Sequence, residues 1–212
     1  MSSRLPAARG LLITIEGLDG AGKTTLARGL LDSLRDRGLE LRLLREPGGV
    51  AAAERVRELV HDPQLEIGPR AEALLYAAAR AQLVDQAIEP LLARGLWVLL
   101  DRFVDSSLAY QGGGRELGLE SVRAINEFAA GDLRPDRTLL LTIEPELGRA
   151  RMVARAQPAD RLERERAEFF ARVAAAYEQL ARQEPDRIRR IDAAQPPERV
   201  LMDALHALAD LI

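Results

Sequence analysis

The sequence carries the loop GLDGAGKT at residues 17–24, between the apolar run LLITIE at 11–16 and the amphipathic stretch TTLARGLLDSLRDR at 24–37. The loop fits the pattern G-x-x-x-x-G-K-[ST] at every fixed position, with a strand candidate before it and a helix candidate after it. Glycines let the backbone approach a phosphate closely, and the amides at a helix N-terminus attract anions. The pattern therefore predicts a P-loop that binds a nucleoside triphosphate.

The side chains of this loop have predicted roles of their own. Lys23 supplies a mobile positive charge for the β- and γ-phosphates, and the Thr24 hydroxyl is placed to ligate Mg²⁺. Thr25 can bond a phosphate oxygen or cap the helix, and the sequence leaves both roles open. The predicted nucleotide-binding residues are Gly17, Leu18, Asp19, Gly20, Ala21, Gly22, Lys23, Thr24 and Thr25.

Short apolar runs alternate with longer amphipathic stretches along the chain, which is typical of βαβ units and a parallel sheet. We predict an α/β P-loop fold with a five-stranded parallel sheet flanked by helices. The predicted strands span residues 11–16, 40–44, 97–100, 138–143 and 188–191. The predicted helices span residues 23–37, 52–60, 70–94, 120–129, 146–155, 163–182 and 197–211. Pro90 is expected to kink the third helix or to end its regular part early.

Length and composition fit one domain that covers residues 1–212, because 47% apolar and 30% charged residues allow a core of ordinary size. The net charge of −3 argues against a general nucleic-acid-binding protein. The absence of cysteine excludes a disulfide framework, a thiolate metal site and a cysteine nucleophile. The apolar run before Glu16 is too short for a signal-peptide core, and no stretch is long enough to span a membrane. We expect a cytoplasmic protein without nucleic-acid or membrane partners.

Polar residues follow four of the predicted strands at the point where each strand ends. In an open α/β sheet, ligands bind in the crevice outside the carboxyl ends of the strands. We therefore expect one crevice lined by the residues at these four ends, which are Gly17, Arg45 with Glu46, Asp101 with Arg102, and Glu144.

Several kinds of P-loop protein compete for this sequence. A nucleotide switch is disfavoured, because GTPases of that kind carry an Asn-Lys-x-Asp motif and the sequence has none. The pair Asp101-Arg102 favours a kinase of small molecules, since a guanidinium matches phosphate geometry and a carboxylate can bind Mg²⁺ directly or through water. Another nucleotide or nucleoside kinase and a nucleotide-gated regulatory protein both remain open at this point.

Five segments resemble the bacterial thymidylate kinase family. They are IEGLDGAGKTT at 15–25, REPGG at 45–49, ALLYAAARAQL at 73–83, DRFVDSSLAYQGGGR at 101–115 and DRLERE at 160–165. The resemblance spans nearly the whole chain, and the second and fourth segments are far more specific than the P-loop alone. It implies an enzyme that transfers the γ-phosphoryl group of ATP to thymidine monophosphate (dTMP), with Mg²⁺ as cofactor.

The resemblance also implies an acceptor site. Tyr76 matches the aromatic ring on which the base stacks, where most members have phenylalanine, although its alanine and leucine neighbours suit plain core packing too. Arg80 lies four residues later on the same helical face and resembles the arginine that bonds a thymine carbonyl. The other implied contacts are Ser107 and Gln111 with the base edge, Tyr110 with the sugar pocket, Arg57 and Arg102 with the acceptor phosphate, and Asp19 and Glu46 with the sugar 3′-hydroxyl or the Mg²⁺ shell.

A short helical lid is expected at about residues 150–163, where arginines are frequent. Some thymidylate kinases carry a basic residue in the P-loop and others carry it in the lid. Positions 18–21 contain no basic residue, so the chain resembles the lid type, and this resemblance implies that Arg155 or Arg161 supplies the positive charge of the transition state. The predicted catalytic residues are Lys23, Asp19, Arg102, Arg155 and Arg161, and the predicted metal-binding residues are Thr24 and Asp101.

Three other features have structural interpretations. The glycines at 112–114 suit either a mobile connector or a tolerant surface loop. The third helix is rich in alanine and leucine, so it fits a homodimer surface like that of the family and fits core packing equally well. His61 and His206 lack ligand-spaced partners and are interpreted as surface or capping residues.

Overall fold

The computed structural model describes residues 9–154 and 160–212. Its centre is a five-stranded, all-parallel sheet in the order β2-β3-β1-β4-β5. The strands are β1 (Leu12–Gly17), β2 (Leu41–Arg45), β3 (Trp97–Asp101), β4 (Arg137–Thr142) and β5 (Ile188–Asp192). The predicted α/β class and five-stranded parallel sheet are confirmed, and each strand ends within one residue of its predicted bounds.

Helices cover both faces of the sheet, which explains why the central strands are apolar on both sides. They are α1 (Lys23–Asp36), α2 (Ala51–His61), α3 (Pro69–Leu83), α4 (Glu89–Ala93), α5 (Val104–Ser107), α6 (Leu119–Ala130), α7 (Pro145–Ala154), α8 (Ala167–Gln183) and α9 (Pro197–Ala207). No helix of the described ranges is both long and apolar enough to cross a membrane.

Strand β1 divides the core into two layers because its successive side chains point to opposite faces. Ile13 and Ile15 pack with apolar residues of α1 and α9. Leu12 packs on the other face, with apolar residues of α3, α4 and β3. Thr14 and Glu16 share the face of Leu12, and both are fully buried. Two polar side chains of the central strand are therefore enclosed beneath the loop that follows it.

The predicted helix 70–94 is divided in the structure. The α-helical hydrogen bonding ends at Leu83, a π-helical segment follows at Val84–Ile88, and α4 completes the stretch. Pro90 has no amide to donate to the carbonyl of Gln86, so a regular α-helix cannot run through it. The early end expected from Pro90 is confirmed.

A second π-helical segment, Leu108–Gly114, follows α5 directly and contains the three consecutive glycines. Both readings of these glycines as a connector or a surface loop are wrong, because the segment packs on α8. A Cβ atom on Gly113 would lie 2.6 Å from the Cβ of Ala176, and one on Gly114 would lie 2.6 Å from Phe169. Glycine is needed at these two positions because the backbone of the segment lies directly against side chains of α8.

The predicted helix 163–182 begins later than expected, at Ala167. The cause lies in Asp160, whose carboxylate accepts hydrogen bonds from the amides of Leu162 and Glu163 and so holds a turn there. Residues 155–159, with the predicted catalytic Arg155, lie outside the described residues. The lid therefore remains a prediction.

Candidate active site

A cavity of about 910 Å³ opens at the carboxyl edge of the sheet. It is lined by P-loop residues from Asp19 onward, by Arg45 and Glu46 at the end of β2, and by Asp101 and Arg102 at the end of β3, as two of the strand ends predict. Gly17 itself does not line the cavity. The expectation for Glu144 is wrong, because this residue does not line the cavity. Its carbonyl instead accepts a hydrogen bond from the amide of Gly148 in the first turn of α7.

The P-loop reaches α1 through two left-handed glycines. Gly22 precedes the helix with φ 95°, and Gly20 has φ 81°. A Cβ on Gly20 would lie 2.1 Å from the carbonyl oxygen of Gly148, so the loop backbone touches the start of α7. Only glycine fits this position, both for its conformation and for its space.

Lys23 is folded over its own loop. Its ammonium group donates to the carbonyls of Gly17 at 3.1 Å and Leu18 at 2.9 Å, and it lies 3.7 Å from the carboxylate of Asp19. Burial and the nearby Arg102 charge lower the pKa of Lys23 to about 8. The side chain is 8% exposed, so its charge is held within reach of the loop amides.

Thr24 and Asp101 meet at the mouth of the cavity, where the Thr24 hydroxyl donates to Asp101 Oδ2 at 3.2 Å. Hydroxyl and carboxylate oxygens are the donors that Mg²⁺ prefers, and it usually takes only one or two of them beside phosphate and water oxygens. The described part of the chain has no cluster of three or more histidine, cysteine, aspartate or glutamate side chains able to hold a metal. These two oxygens therefore fit a magnesium ion that arrives with the nucleotide.

Asp19, Arg102 and Tyr110 form one hydrogen-bonded group. The Asp19 carboxylate accepts from Arg102 Nη2 at 2.5 Å and from the Tyr110 hydroxyl at 2.9 Å. Burial alone would raise the pKa of Asp19, but the Arg102 and Lys23 charges overcome it and hold this pKa far below its usual range. Asp19 is therefore a carboxylate at any working pH.

The Arg102 guanidinium uses most of its hydrogen-bonding capacity inside the protein. Nη1 donates to the Gly17 carbonyl and to the Ser106 hydroxyl, and Nη2 donates to Asp19 and Tyr110. Its Nε–H has no partner among the described residues, and the guanidinium lies 4.9 Å above the Tyr110 ring. Arg102 thus brings a fixed positive charge and one unused donor to the cavity.

Arg80 is bonded more completely. Nε and Nη2 donate to Glu46 Oε2, Nη2 also donates to the Phe103 carbonyl, and Nη1 donates to Ser107 and Asn126. All five N–H groups of this guanidinium are used. The contact with a thymine carbonyl that the family resemblance implies would need one of these bonds to be exchanged.

Glu46 keeps one oxygen unused. Its Oε1 is buried and has no hydrogen-bond partner within the described ranges, although the residue lines the cavity. Burial raises the pKa of Glu46, and the Arg80 charge opposes this effect. A buried acceptor without a partner is rare in proteins, so this oxygen is a candidate contact for a ligand donor.

The other implied acceptor residues also line the cavity. Ser107 accepts from Arg80, the Gln111 amide donates to Glu72 at 2.9 Å, and Arg57 donates to the Pro47 carbonyl at 3.0 Å. The Tyr76 hydroxyl has no hydrogen-bond partner among the described residues, and burial raises its pKa, so it stays protonated. The structure thus brings Tyr76, Ser107 and Gln111 together around one space.

Two arginines of the predicted lid segment, Arg151 and Arg161, donate their hydrogen bonds outside the cavity. Arg161 donates to the Glu72 carboxylate at 2.6 Å and to the Val60 carbonyl at 3.0 Å, and Arg151 donates to the Ala193 carbonyl. Neither side chain lines the cavity. In the described structure, Arg161 connects the segment before α8 to α2 and α3.

Sequence reasoning missed two residues of this region. Glu72 is fully buried and accepts hydrogen bonds from Gln111, Arg115 and Arg161. It lies four residues before Tyr76, so helical spacing on α3 could have indicated it. His61, interpreted as a surface or capping residue, is the last residue of α2, and it also lines the cavity with its Nδ1 3.0 Å from Asp160 Oδ2.

Comparison with known proteins identifies the family to which the chain is similar. A sequence model described as thymidylate kinase matches residues 15–204. A thymidylate kinase of Oenococcus oeni is 49% identical over 205 residues, which cover 95% of this chain and 96% of the relative. A thymidylate kinase of Pseudomonas putida is 50% identical over 198 residues, which cover 92% of this chain and 95% of the relative. A thymidylate kinase of Alkalilimnicola ehrlichii is 46% identical over 205 residues, which cover 96% of this chain and 94% of the relative.

Proposed function

The chain belongs to the thymidylate kinase family, and we propose that the cavity at the carboxyl edge of its sheet holds MgATP and dTMP side by side for phosphoryl transfer. The family match covers residues 15–204, which include every described residue of the site. The enzyme transfers the γ-phosphoryl group of ATP to dTMP and releases dTDP and ADP.

The donor end of the site is built from the P-loop. The loop amides and the N-terminus of α1 bind the phosphates, and Lys23 exchanges its bonds to the Gly17 and Leu18 carbonyls for bonds to the triphosphate. Thr24 and Asp101 hold Mg²⁺, which when bound neutralises part of the charge on the transferring phosphoryl group.

The acceptor end is built from α3, α5 and the second π-helical segment. Tyr76 stacks on the thymine ring, Ser107 and Gln111 contact the base edge, and Tyr110 closes the sugar pocket. Asp19 and the unpaired oxygen of Glu46 accept hydrogen bonds from the sugar or from metal-bound water. Arg57 and Arg102 hold the acceptor phosphate, and Arg80 holds the side chains of Glu46 and Ser107 in place beside the sugar and the base.

Transfer needs no side-chain nucleophile. An oxygen of the dTMP phosphate attacks the γ-phosphorus, the bond to the bridging oxygen of ADP breaks, and the electron pair leaves with ADP. The protein contributes positioning and positive charge, from Lys23 and Arg102 in the described structure and from Arg155 or Arg161 of the predicted lid.

One observation carries this assignment most directly. The hydrogen-bonded pair Thr24 and Asp101, which fits the metal of a nucleotide, lines the same cavity as Tyr76, Gln111 and Arg102. The test is a panel of acceptors, assayed with ATP and Mg²⁺ for ADP formation, that contains dTMP, dUMP, dCMP, AMP, GMP and thymidine. We expect dTMP to have the highest kcat/KM, and a preference for AMP or GMP would refute the base site.

We also propose a single-domain, cytoplasmic homodimer. Residues between positions 19 and 163 line one cavity beside one sheet, which supports one domain, and the two substrates are nucleotides of the cytoplasm. On α3, Ala71, Leu74 and Ala78 form an exposed apolar stripe, and Phe128 on α6 is 94% exposed. A stripe of this kind suits an interface between two copies.

Light scattering tests the dimer. We expect a mass twice the 23.3 kDa of one chain, and Leu74→Glu or Phe128→Glu should halve it. Met202→Glu, at an exposed apolar position on α9, is the matched control and should leave the mass unchanged. A monomeric parent protein would refute the dimer without affecting the assignment of the reaction.

A further inference from the structure

The backbone at Arg102 adopts a conformation that its side chain disfavours. Its φ of 71° lies in the left-handed region, which residues with a Cβ atom rarely enter. The Arg102 amide donates to the Ile15 carbonyl at 3.0 Å, and the Phe103 amide donates to Glu16 Oε1 at 2.7 Å. Both amides of this turn therefore donate hydrogen bonds to β1, the Arg102 amide to a backbone carbonyl and the Phe103 amide to the Glu16 side chain.

Glu16 is fully buried, and its second oxygen is bonded too. Oε2 accepts from the Ser106 hydroxyl at 2.5 Å and from the Tyr177 hydroxyl at 3.0 Å. The Ser106 oxygen accepts in turn from Arg102 Nη1 at 3.0 Å. One carboxylate thus holds Arg102 twice, through the backbone of the next residue and through a hydroxyl that contacts the guanidinium.

We propose that Glu16 is a positioning residue for phosphoryl transfer, because its carboxylate fixes the turn after β3 and, through Ser106, aims the Arg102 guanidinium into the acceptor cavity. The inference rests on the proposed contact of Arg102 with the acceptor phosphate. Glu16 itself touches no substrate, since it lies beneath the cavity and does not line it. Its effect on catalysis is transmitted by Arg102 alone.

The ionised form of Glu16 suits this role, since a carboxylate only accepts hydrogen bonds and three donors converge on it. The charged groups around it are Asp105 on α5, Arg102 and, from α1, Lys23, while the Tyr177 hydroxyl faces it from α8. Burial and the Asp105 charge raise the pKa of Glu16 to about 7, against the Ser106 bond and the Arg102 charge. Above about pH 7 the Glu16 carboxylate accepts all three hydrogen bonds. Below about pH 7 Glu16 gains a proton and holds the turn and Ser106 less firmly.

The test compares the binding of dTMP and of thymidine by calorimetry. Glu16→Ala should weaken dTMP binding by about 10- to 100-fold, because a misaligned guanidinium contacts the phosphate poorly, and it should change thymidine binding less than threefold. Glu16→Gln keeps one acceptor oxygen for the Phe103 amide and should recover part of the loss. In the parent protein, protonation of Glu16 should weaken dTMP binding as the pH falls through about 7, and Glu16→Gln should lack this part of the pH dependence.

Two further variants keep the test decisive if Glu16→Ala does not fold. Ser106→Ala leaves Glu16 in place but removes the hydroxyl between it and Arg102, and it should weaken dTMP binding about tenfold. Thr14→Val is the matched control, since it removes a buried hydrogen bond to Thr138 on the same face of β1. It should lower stability without changing the ratio of dTMP to thymidine affinity.

The outcomes separate this inference from the proposed function beneath it. In an Arg102→Ala background, a second change at Glu16 should have no further effect on dTMP affinity. If Arg102→Ala weakens dTMP binding while Glu16→Ala and Ser106→Ala do not, the role of Glu16 is refuted and the acceptor site stands. If Arg102→Ala itself leaves dTMP binding unchanged, the proposed phosphate contact is refuted as well.

Discussion

Arg161 donates a 2.6 Å hydrogen bond to Glu72, a carboxylate with no exposed surface on the same helix as Tyr76 and Arg80. The Arg161 side chain is itself only 11% exposed. An arginine near the end of the predicted lid is therefore tied to the helix that carries the acceptor residues. This contact assigns different roles to the two candidate lid arginines. Arg161 forms a structural ion pair with Glu72, which leaves the transition-state charge to Arg155.

The first prediction concerns these two arginines. Arg161→Ala should lower the free energy of unfolding by about 1–3 kcal/mol, because Glu72 loses one of its buried partners. Arg155→Ala should lower kcat by about 10²- to 10³-fold with little change in stability, because it removes the transition-state charge. Thermal unfolding and steady-state kinetics of both variants give the answer.

The control for both variants is Arg149→Ala, an exposed arginine on α7, which should change neither quantity. Equal stability of Arg161→Ala and the parent protein, together with a loss of kcat, would reverse the assignment. If Arg155→Ala and Arg161→Ala both keep a kcat within a fewfold of the parent value, neither arginine takes part in the mechanism.

The second prediction concerns the aromatic ring of the acceptor site. Tyr76→Ala should lower kcat/KM for dTMP by about 5- to 150-fold, because stacking of a base on an aromatic side chain is worth about 1–3 kcal/mol. Tyr76→Phe should stay within about threefold of the parent, since the hydroxyl has no partner in the described structure. A large loss in the phenylalanine variant would show that the hydroxyl, rather than the ring, contacts the substrate.

The third prediction uses a property of the sequence, in which Lys23 is the single lysine. In protein labelled with ¹⁵N-lysine, one side-chain resonance should titrate near pH 8, because burial and the Arg102 charge lower the pKa of Lys23. MgATP should move this titration to higher pH, since the triphosphate stabilises the ammonium form. ATP affinity should accordingly fall as the pH rises above about 8.

Lys23→Arg is the control, because it removes the resonance and keeps the positive charge. A pKa close to 10.5, the ordinary value for lysine, would show that the ammonium is not buried in its loop. An unchanged titration on addition of MgATP would remove Lys23 from the donor site.

The fourth prediction concerns the glycines of the second π-helical segment. Gly114→Ala should lower the free energy of unfolding by about 1–3 kcal/mol, because the new methyl group would lie 2.6 Å from Phe169 and 2.7 Å from Val173. Gly68→Ala is the control, since it has no atom within 4 Å of the added Cβ and an ordinary φ of −67°. Chemical denaturation that found equal losses in both variants would argue against the close packing on α8.

The fold and the site were predictable to different degrees, for physical reasons. The strands could be located within a residue because buried apolar runs such as that of β1 carry their own signal. The packing of Gly114 was not predictable, since its partners Phe169 and Val173 lie more than 50 residues away in sequence. Local patterns contain no information about such distant neighbours.

The polar residues of the site show the same limit. The P-loop motif places Lys23 and Thr24 at the start of α1, because a strand, a loop and a helix follow one another in sequence. An arginine is available to a ligand only if no carboxylate of another helix or strand already pairs with it, and such partners lie far away in sequence. Arg161 and Arg80 were assigned to ligands by resemblance, whereas the structure binds them to Glu72 and Glu46.

The close approach of Gly20 and Gly148 has a mechanical consequence. The P-loop and the first turn of α7 touch backbone to backbone, with no side chain between them to absorb a displacement. A side chain at position 20 or 148 would therefore push the two elements apart and displace the loop that is to receive the phosphates.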